Sequence, residues 1–348
     1  MGPASPSTTS FCDHPALRRY WYAVARSVDL TRDPAAVTLL GGAYVLWRDE
    51  DGAVVAAPDR CPHREAPLSL GRLVGGHLEC AYHGWRFGTG GRCVFVPSAN
   101  EGVPVPPKAH LPTIHAAERY GLVWMCPGEP AAGIPDIPYD ADPAYRRLNV
   151  DIERWQASAT RMTDNFLDIS HFPFVHTGTF GRAQDTHVPK IDLGPLEDGY
   201  FGYRYEVEVN NDALGASASG LAAKVLTRRM TTGFHLPFTV RSTIHYETGL
   251  DHILLLLSTP VDDVTSLFTF VVWRNDDFTV PTDEVLRFDK AIGDEDRRML
   301  ERVPGVLPMD ATALVSVQAD KASVEWRRRL VGLLEGEVLP AAGPAAIG

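Results

Sequence analysis

Two short loops, each holding one cysteine and one histidine, constrain this chain more than any other feature. Cys61-Pro-His63 is separated by sixteen residues from Cys80-Ala-Tyr-His83. Each loop offers one thiolate and one imidazole. A set of two cysteines and two histidines fits tetrahedral structural zinc. It equally fits a two-iron, two-sulfur cluster with both cysteines on one iron and both histidines on the other. Neutral imidazoles donate less negative charge than thiolates, so such a cluster accepts an electron at roughly −150 to +300 mV. The ligands alone leave zinc open.

The loops sit in a β-rich setting. Val37 to Asp49 reads as two strands around a Gly-Gly turn, and Ala53 to Pro58 as a third strand after Asp51-Gly52. Short strands and turns continue to Gly128, and a Pro- and Asp-rich stretch, Pro127 to Pro143, predicts an interdomain connection. Thr160 to Ile169 has no Gly or Pro and reads as a helix. Long runs rich in Val, Ile, Thr, Phe and Tyr follow up to Asn275, then helical patterns over Thr282 to Arg302 and Ala319 to Leu334. This order predicts an α+β chain: an N-terminal all-β domain, then a C-terminal domain with a large antiparallel sheet flanked by helices. The expected divisions are a flexible tail at 1–16, a first domain at 17–130, a linker at 131–147, a second domain at 148–336 and a tail at 337–348.

A length of 348 residues suits two domains. The net charge of −11 argues against nucleic acid or an anionic membrane as partner, since both need a basic face. It suits a basic redox partner. No apolar run approaches the ~18 residues of a membrane span. The first residues lack the basic start and apolar core of a secretory signal. Five cysteines in a long chain argue against a disulfide framework. A cytoplasmic enzyme is the expectation.

A second constellation lies in the predicted helix and just beyond it. Asn165, Asp168, His171 and His176 fall within NFLDISHFPFVH. Two imidazoles and one carboxylate arranged on one face, with open positions opposite, form the site of non-haem iron(II) oxygenases. On an uninterrupted helix His171 and His176 would stand about 140° apart, so Pro173 is expected to break the helix between them. The competing reading is two surface histidines near a capping aspartate. The remaining histidines, including His235 and His252, have no partner at ligand spacing and are expected on the surface or in the core.

The flanking residues carry a resemblance. CPHREAPLSLG and CAYHGWRF resemble the two binding boxes of Rieske non-haem iron oxygenases nearly residue for residue, and Asn165 to His176 resembles that family's Asn-x-x-Asp-x-x-His-x-x-x-x-His motif. The resemblance runs from about Trp21 to Leu333 and is nearest to the vanillate and dicamba O-demethylase group. It implies that Cys61, His63, Cys80 and His83 hold a [2Fe–2S] cluster shielded by Trp85. It implies that His171 and His176 bind a mononuclear Fe(II), with Asn165 close by. By the same resemblance Asp168 is not a ligand and instead bridges to His83 of a neighbouring subunit. The carboxylate ligand comes from downstream, among Asp283, Glu284, Asp289, Asp294, Glu295 and Asp296. GDEDRRMLE resembles the family segment whose aspartate is the ligand, which puts Asp296 first and Asp289 second, with Glu301 matching a later glutamate.

The resemblance further implies a homotrimer and a multicomponent monooxygenase. Electrons from NAD(P)H arrive through a separate reductase or ferredoxin, and O2 serves as co-substrate. The apolar strands favour a small apolar or aromatic substrate, which the resemblance implies is hydroxylated or oxidatively demethylated. The alternative is a Rieske electron carrier with an extra domain and no oxygenase activity. The purified protein is expected to be red-brown, with about two cluster irons and matching acid-labile sulfide per chain. Cys80→Ala or His83→Ala abolishes that colour. A colourless protein holding one zinc overturns the cluster assignment.

Overall fold

The computed structural model describes residues 10–310 and 312–336. The chain divides into two units at Ile134/Pro135. The predicted tails at 1–9 and 337–348 lie outside the described residues, but the rest of the N-terminal tail is built in. Single 3-10 turns span Phe11–Asp13 and Pro15–Arg19. Cys12 and Leu17 are buried, and the Tyr22 hydroxyl donates to the Leu17 carbonyl at 2.8 Å. Apolar side chains at 12 and 17 have a core to enter, which a freely moving tail does not.

The first unit is all-β. Strands β1 (Tyr22–Arg26), β10 (Leu122–Cys126) and β9 (His115–Arg119) form one antiparallel sheet, and β2 (Ala35–Leu39), β3 (Gly42–Arg48) and β4 (Val54–Pro58) a second. Strands β5 (Arg72–Val74), β6 (His77–Glu79), β7 (Arg86–Phe87) and β8 (Cys93–Phe95) form a third. The β2–β3 turn is Leu40-Gly41, one residue earlier than the Gly-Gly pair suggested, and both residues have positive φ, 50° and 71°. That is the type I′ pattern, whose twist matches the strands it joins. The core holds Val45, Trp47, Leu78 and Phe87 together with Cys61 and Cys80. The loop cysteines are therefore fixed by the domain's main apolar cluster.

The second unit is one eight-stranded antiparallel sheet. Its order is β11 (Arg146–Asn149), β18 (Ser266–Arg274), β17 (Asp251–Pro260), β16 (Thr239–His245), β15 (Val225–His235), β14 (Phe201–Asn210) and β13 (Gly194–Pro195), with β12 (Glu153–Trp155) also on β18. Residues 146 and 147, expected in the linker, already pair with Arg274 and Trp273. The segment from 146 is thus sheet, because Leu148 is buried against β18.

Among the described residues five α-helices accompany the sheet: α1 (Ala159–Leu167), α2 (Phe172–Val175), α3 (Ala213–Ser219), α4 (Thr282–Leu300) and α5 (Lys321–Glu335). Val285, Leu286 and Leu300 of α4 pack with Met162 of α1 on Phe268, Phe270 and Val272 of β18. Ser158 caps α1 by accepting from the Arg161 amide. Trp326 of α5 is fully buried and donates to the Pro237 carbonyl in the β15–β16 turn at 2.8 Å. Trp326→Ala removes a large ring and leaves that carbonyl without its donor. It should cost about 3–5 kcal/mol, measured as a lower urea midpoint with little change in slope.

Candidate metal centres and the adjoining cavity

The two candidate cluster loops are matched turns. Cys61 N–H donates to Ala66 O at 2.9 Å and Glu65 N–H to Cys61 O at 2.9 Å; Cys80 N–H donates to Trp85 O at 2.8 Å and Gly84 N–H to Cys80 O at 2.9 Å. In each loop the residue four beyond the cysteine has positive φ, Glu65 at 61° and Gly84 at 66°. Cys61 and Cys80 are buried, free of disulfides, and lie in one apolar cluster. The His63 and His83 rings lie 4.5 Å apart, and His63 stacks on Trp85 at 4.5 Å and 7°.

The donor set fits a [2Fe–2S] cluster. Two thiols meet beside two imidazoles, and His63 Nδ1 is buried with no partner among the described residues. A buried ring nitrogen of that kind is costly unless something binds it. Burial pushes the Cys61 thiol up to about 11, against the pull of the His63 and Arg64 amides. It becomes a thiolate only when a bound cation compensates. His83 is exposed, so the histidine edge is the accessible one.

In the second unit, His171, His176 and Asp296 bring ligand atoms within 4.8 Å of one another. His171 Nε2 and His176 Nε2 are 3.1 Å apart, and Asp296 Oδ1 lies 3.5 Å from the first and 3.4 Å from the second. Donors at right angles around an ion with bonds of ~2.1 Å are about 3.0 Å apart, so the three fit one face of an octahedron.

Both rings are aimed by carboxylates. His171 Nδ1 lies 2.8 Å from Asp168 Oδ2, and His176 Nδ1 lies 3.0 Å from Glu295 Oε2. Each carboxylate holds a proton on Nδ1 and turns the Nε2 lone pair inward, the usual support for a metal-bound histidine. Asn165 Nδ2 donates to Asp296 Oδ1 at 2.9 Å and orients that carboxylate. Burial lowers the pKa of His171, but hydrogen bonds to Asp168 and Asp296 outweigh it and raise it to about 9. Burial dominates at His176 and lowers it.

The local backbone differs from the expected Pro173 break. Helix α1 already ends at Leu167, and Asp168 is extended at φ −90°, ψ 146°. Asp168 therefore does not meet His171 as a helical i, i+3 neighbour. Its carboxylate accepts from the Ser170 and His171 amides at 2.9 and 3.0 Å, which folds the chain back. Pro173 lies inside a new one-turn helix, α2, whose two caps are His171 and His176. Proline is tolerated in a first turn because its missing N–H would lack a partner there anyway.

The other candidate carboxylates separate cleanly. Asp283, Glu284 and Asp294 are exposed on α4. Asp289 stands 3.2 Å from His252 Nε2 and is not among the residues whose ligand atoms converge with the histidine pair. Glu301 accepts from Arg297 and the Gln156 amide. Sequence reasoning missed the role of Glu295, which accepts from Gly178 N–H and Thr179 Oγ–H as well as His176. The signal lay in its place next to Asp296.

A cavity of about 120 Å³ opens beside His171, His176 and Asp296. Its walls are alternate residues of the sheet, among them Met230, Ile244, Leu254 and Phe270, closed by Phe288, Ile292 and Gly293 of α4. The volume is of the order that admits one benzene ring, ~150 Å³.

Comparison with known proteins agrees with this anatomy. Residues 20–114 match the Rieske [2Fe-2S] domain, and residues 155–336 match the vanillate O-demethylase oxygenase C-terminal domain. The methylxanthine N1-demethylase NdmA of Pseudomonas putida is 31% identical over 92% of this chain and 90% of its own. The dicamba O-demethylase oxygenase component of Stenotrophomonas maltophilia is 38% identical over 48% of this chain and 51% of its own. The structure of NdmA with caffeine covers 93% of each chain at 29% identity with a TM-score of 0.79. Dicamba monooxygenase bound to dicamba covers 94% of this chain and 98% of its own at 26% identity and 0.77.

The chain belongs to the Rieske non-haem iron oxygenases, with a C-terminal domain of the vanillate O-demethylase type. It is an oxygenase component that uses a [2Fe–2S] cluster, a mononuclear iron and dioxygen, and takes electrons from a separate partner. The comparisons give the pure electron-carrier alternative no support.

Glu295→Gln halves the acceptors facing three donors and disturbs the His176 tautomer. It should weaken iron retention about 10–100-fold while leaving the visible cluster spectrum unchanged. Equilibrium dialysis against graded iron(II), with iron counted beyond that of the cluster, measures it.

Proposed function

We propose that His171, His176 and Asp296 hold the mononuclear iron, and that the cavity beside them receives a small, largely apolar molecule whose carbon is oxidised there. The observation that carries this reading is the convergence of two carboxylate-aimed imidazoles and one carboxylate at the wall of an apolar cavity. When bound, the iron supplies dioxygen activation. The protein's contribution is to hold three ligands on one side, keep the other side open to the cavity and exclude water with aromatic and aliphatic walls.

Oxidative removal of a methyl group is the reaction class the relatives favour, since they are named as demethylases of methylxanthines and dicamba. The cavity volume favours a substrate of one ring or a compact pair of rings. On this reading Cys61, His63, Cys80 and His83 hold the cluster, with Trp85 stacked on its histidine edge. The exposed His83 suits a junction with a neighbouring subunit, and a homotrimer would bring that edge to Asp168 of the next chain. Five thiols without a disulfide suit a reducing, cytoplasmic setting, and the acidic surface does not suit nucleic acid.

Asp168 is the residue on which the subunit junction turns. Asp168→Asn keeps the size and both ligand histidines but removes the charge and one acceptor. With iron(II) supplied in excess to offset the weakened support of His171, both metal sites should fill while turnover falls at least tenfold. The test is a single turnover: the cluster is reduced, substrate and dioxygen are added, and cluster reoxidation is followed. Reoxidation and product yield equal to wild type would reduce Asp168 to a local turn former. Dioxygen uptake across methoxy-aromatic, N-methyl and purely hydrocarbon ring compounds, with formaldehyde measured, tests the demethylase class.

A further inference from the structure

The cavity holds a charge that the oxygenase chemistry does not use. Arg228 lies on β15 at an inward-facing position between Leu226 and Met230 and is 2% exposed. Among the described residues its Nε and Nη2 atoms are buried with no hydrogen-bond partner, and no carboxylate forms an ion pair with it. Asp289, which faces the same cavity, has its Oδ2 3.2 Å from His252 Nε2, although among the described residues neither atom makes a hydrogen bond. Arg274 Nη1 approaches His252 Nδ1 at 3.1 Å, so the ring is held from its other side.

Three aromatic rings surround the guanidinium: Phe180 at 5.4 Å, Tyr246 at 5.7 Å and Phe288 at 5.5 Å from Cζ. Such rings attract the charge, but they offer nothing to the N–H donors at its edge. An unpaired buried guanidinium costs folding free energy with no structural return. A group of that kind facing a cavity points to a ligand. The free pair of atoms is informative as well. Nε and Nη2 are adjacent donors on one side of the fork, the edge that grips a carboxylate with two parallel hydrogen bonds.

The position relative to the metal ligands follows from Phe180. Its ring stacks on His176 at 4.7 Å and 28° and also touches Arg228. Anchor and reacting end thus flank a common ring, with the apolar walls around them.

We propose that Arg228 anchors the substrate by a carboxylate, so that this oxygenase acts on a small aromatic or apolar acid whose oxidised carbon is remote from its acid group. The inference rests on the cavity's being the substrate site, as argued above. Its test needs neither electrons nor dioxygen. Isothermal titration of the oxidised holoenzyme compares 3- and 4-methoxybenzoate with the matching methoxybenzamides, for wild type, Arg228→Met and Arg228→Lys.

In wild type at least one acid should bind ten times or more tighter than its amide. Arg228→Met should erase that preference while keeping or raising the melting temperature, because it removes an unpaired charge. Arg228→Lys should retain part of the preference. Equal binding of acid and amide by wild type, amide binding without acid binding, or an unchanged preference in Arg228→Met each overturns the anchor. So does a lower melting temperature in Arg228→Met with the preference intact, which would make Arg228 a packing residue. If the preference holds but no acid supports iron-dependent oxygen uptake, the oxygenase reading of the cavity fails and the anchor stands.

Discussion

Two carboxylate–imidazole hydrogen bonds, Asp168 to His171 and Glu295 to His176, set the geometry on which the second domain's site depends. They fix which ring nitrogen carries the proton and so turn both Nε2 atoms toward Asp296. Everything nearby serves that alignment. Helix α1 stops at Leu167 so that Asp168 can accept from the two following amides. Helix α4 runs beneath the pair and delivers Glu295 and Asp296 as neighbours. Gly181 lets the returning chain approach α2, since a Cβ there would come within 2.3 Å of Phe172 O and 2.8 Å of His176 O. A side chain at 181 would push α2 away from Glu295.

The first domain solves its own problem differently. Its candidate ligands sit on two loops of similar hydrogen-bond pattern, and the cysteines are anchored from behind by the same cluster that includes Trp47 and Phe87. The thiols are buried and the His83 edge is exposed. The design insulates one end of the centre and leaves the other available, which is what one-electron delivery to another site requires. In the second domain the same economy governs the sheet. Inward residues of β15 to β18 line a cavity in which the ionisable Arg228 and His252, with Asp289 of α4, stand out against Leu, Ile, Met and Phe. Burying charge weakens a domain, so these groups are best understood through what enters the cavity.

Local patterns were legible because local physics produces them. The Cys/His boxes, the Asn165–His176 motif, the long β-rich runs and the two closing helices all express short-range constraints: ligand spacing, period-two burial and helix-forming composition. Errors arose where a local rule had two outcomes. Pro173 was expected to end a helix and instead lies in the first turn of one, because the Asp168 turn had already reset the chain. Residues 11–16 were expected to be loose, and a buried Cys12 and Leu17 hold them.

The family, the order of the two domains, the Cys/His boxes and the histidine pair could be read locally, since each is written within a dozen or so residues. Which of the six acids meet those histidines depended on folding, which set Asp296 before both Nε2 atoms. It also assigned Glu295 to His176 across 119 positions, joined Asn165 to Asp296 across 131, and left Arg228 inside a cavity without an acceptor. The physical reason is that these contacts depend on strand register and helix rotation. A one-residue slip in β15 would turn Arg228 outward, and no local pattern encodes what the far side of a cavity will hold.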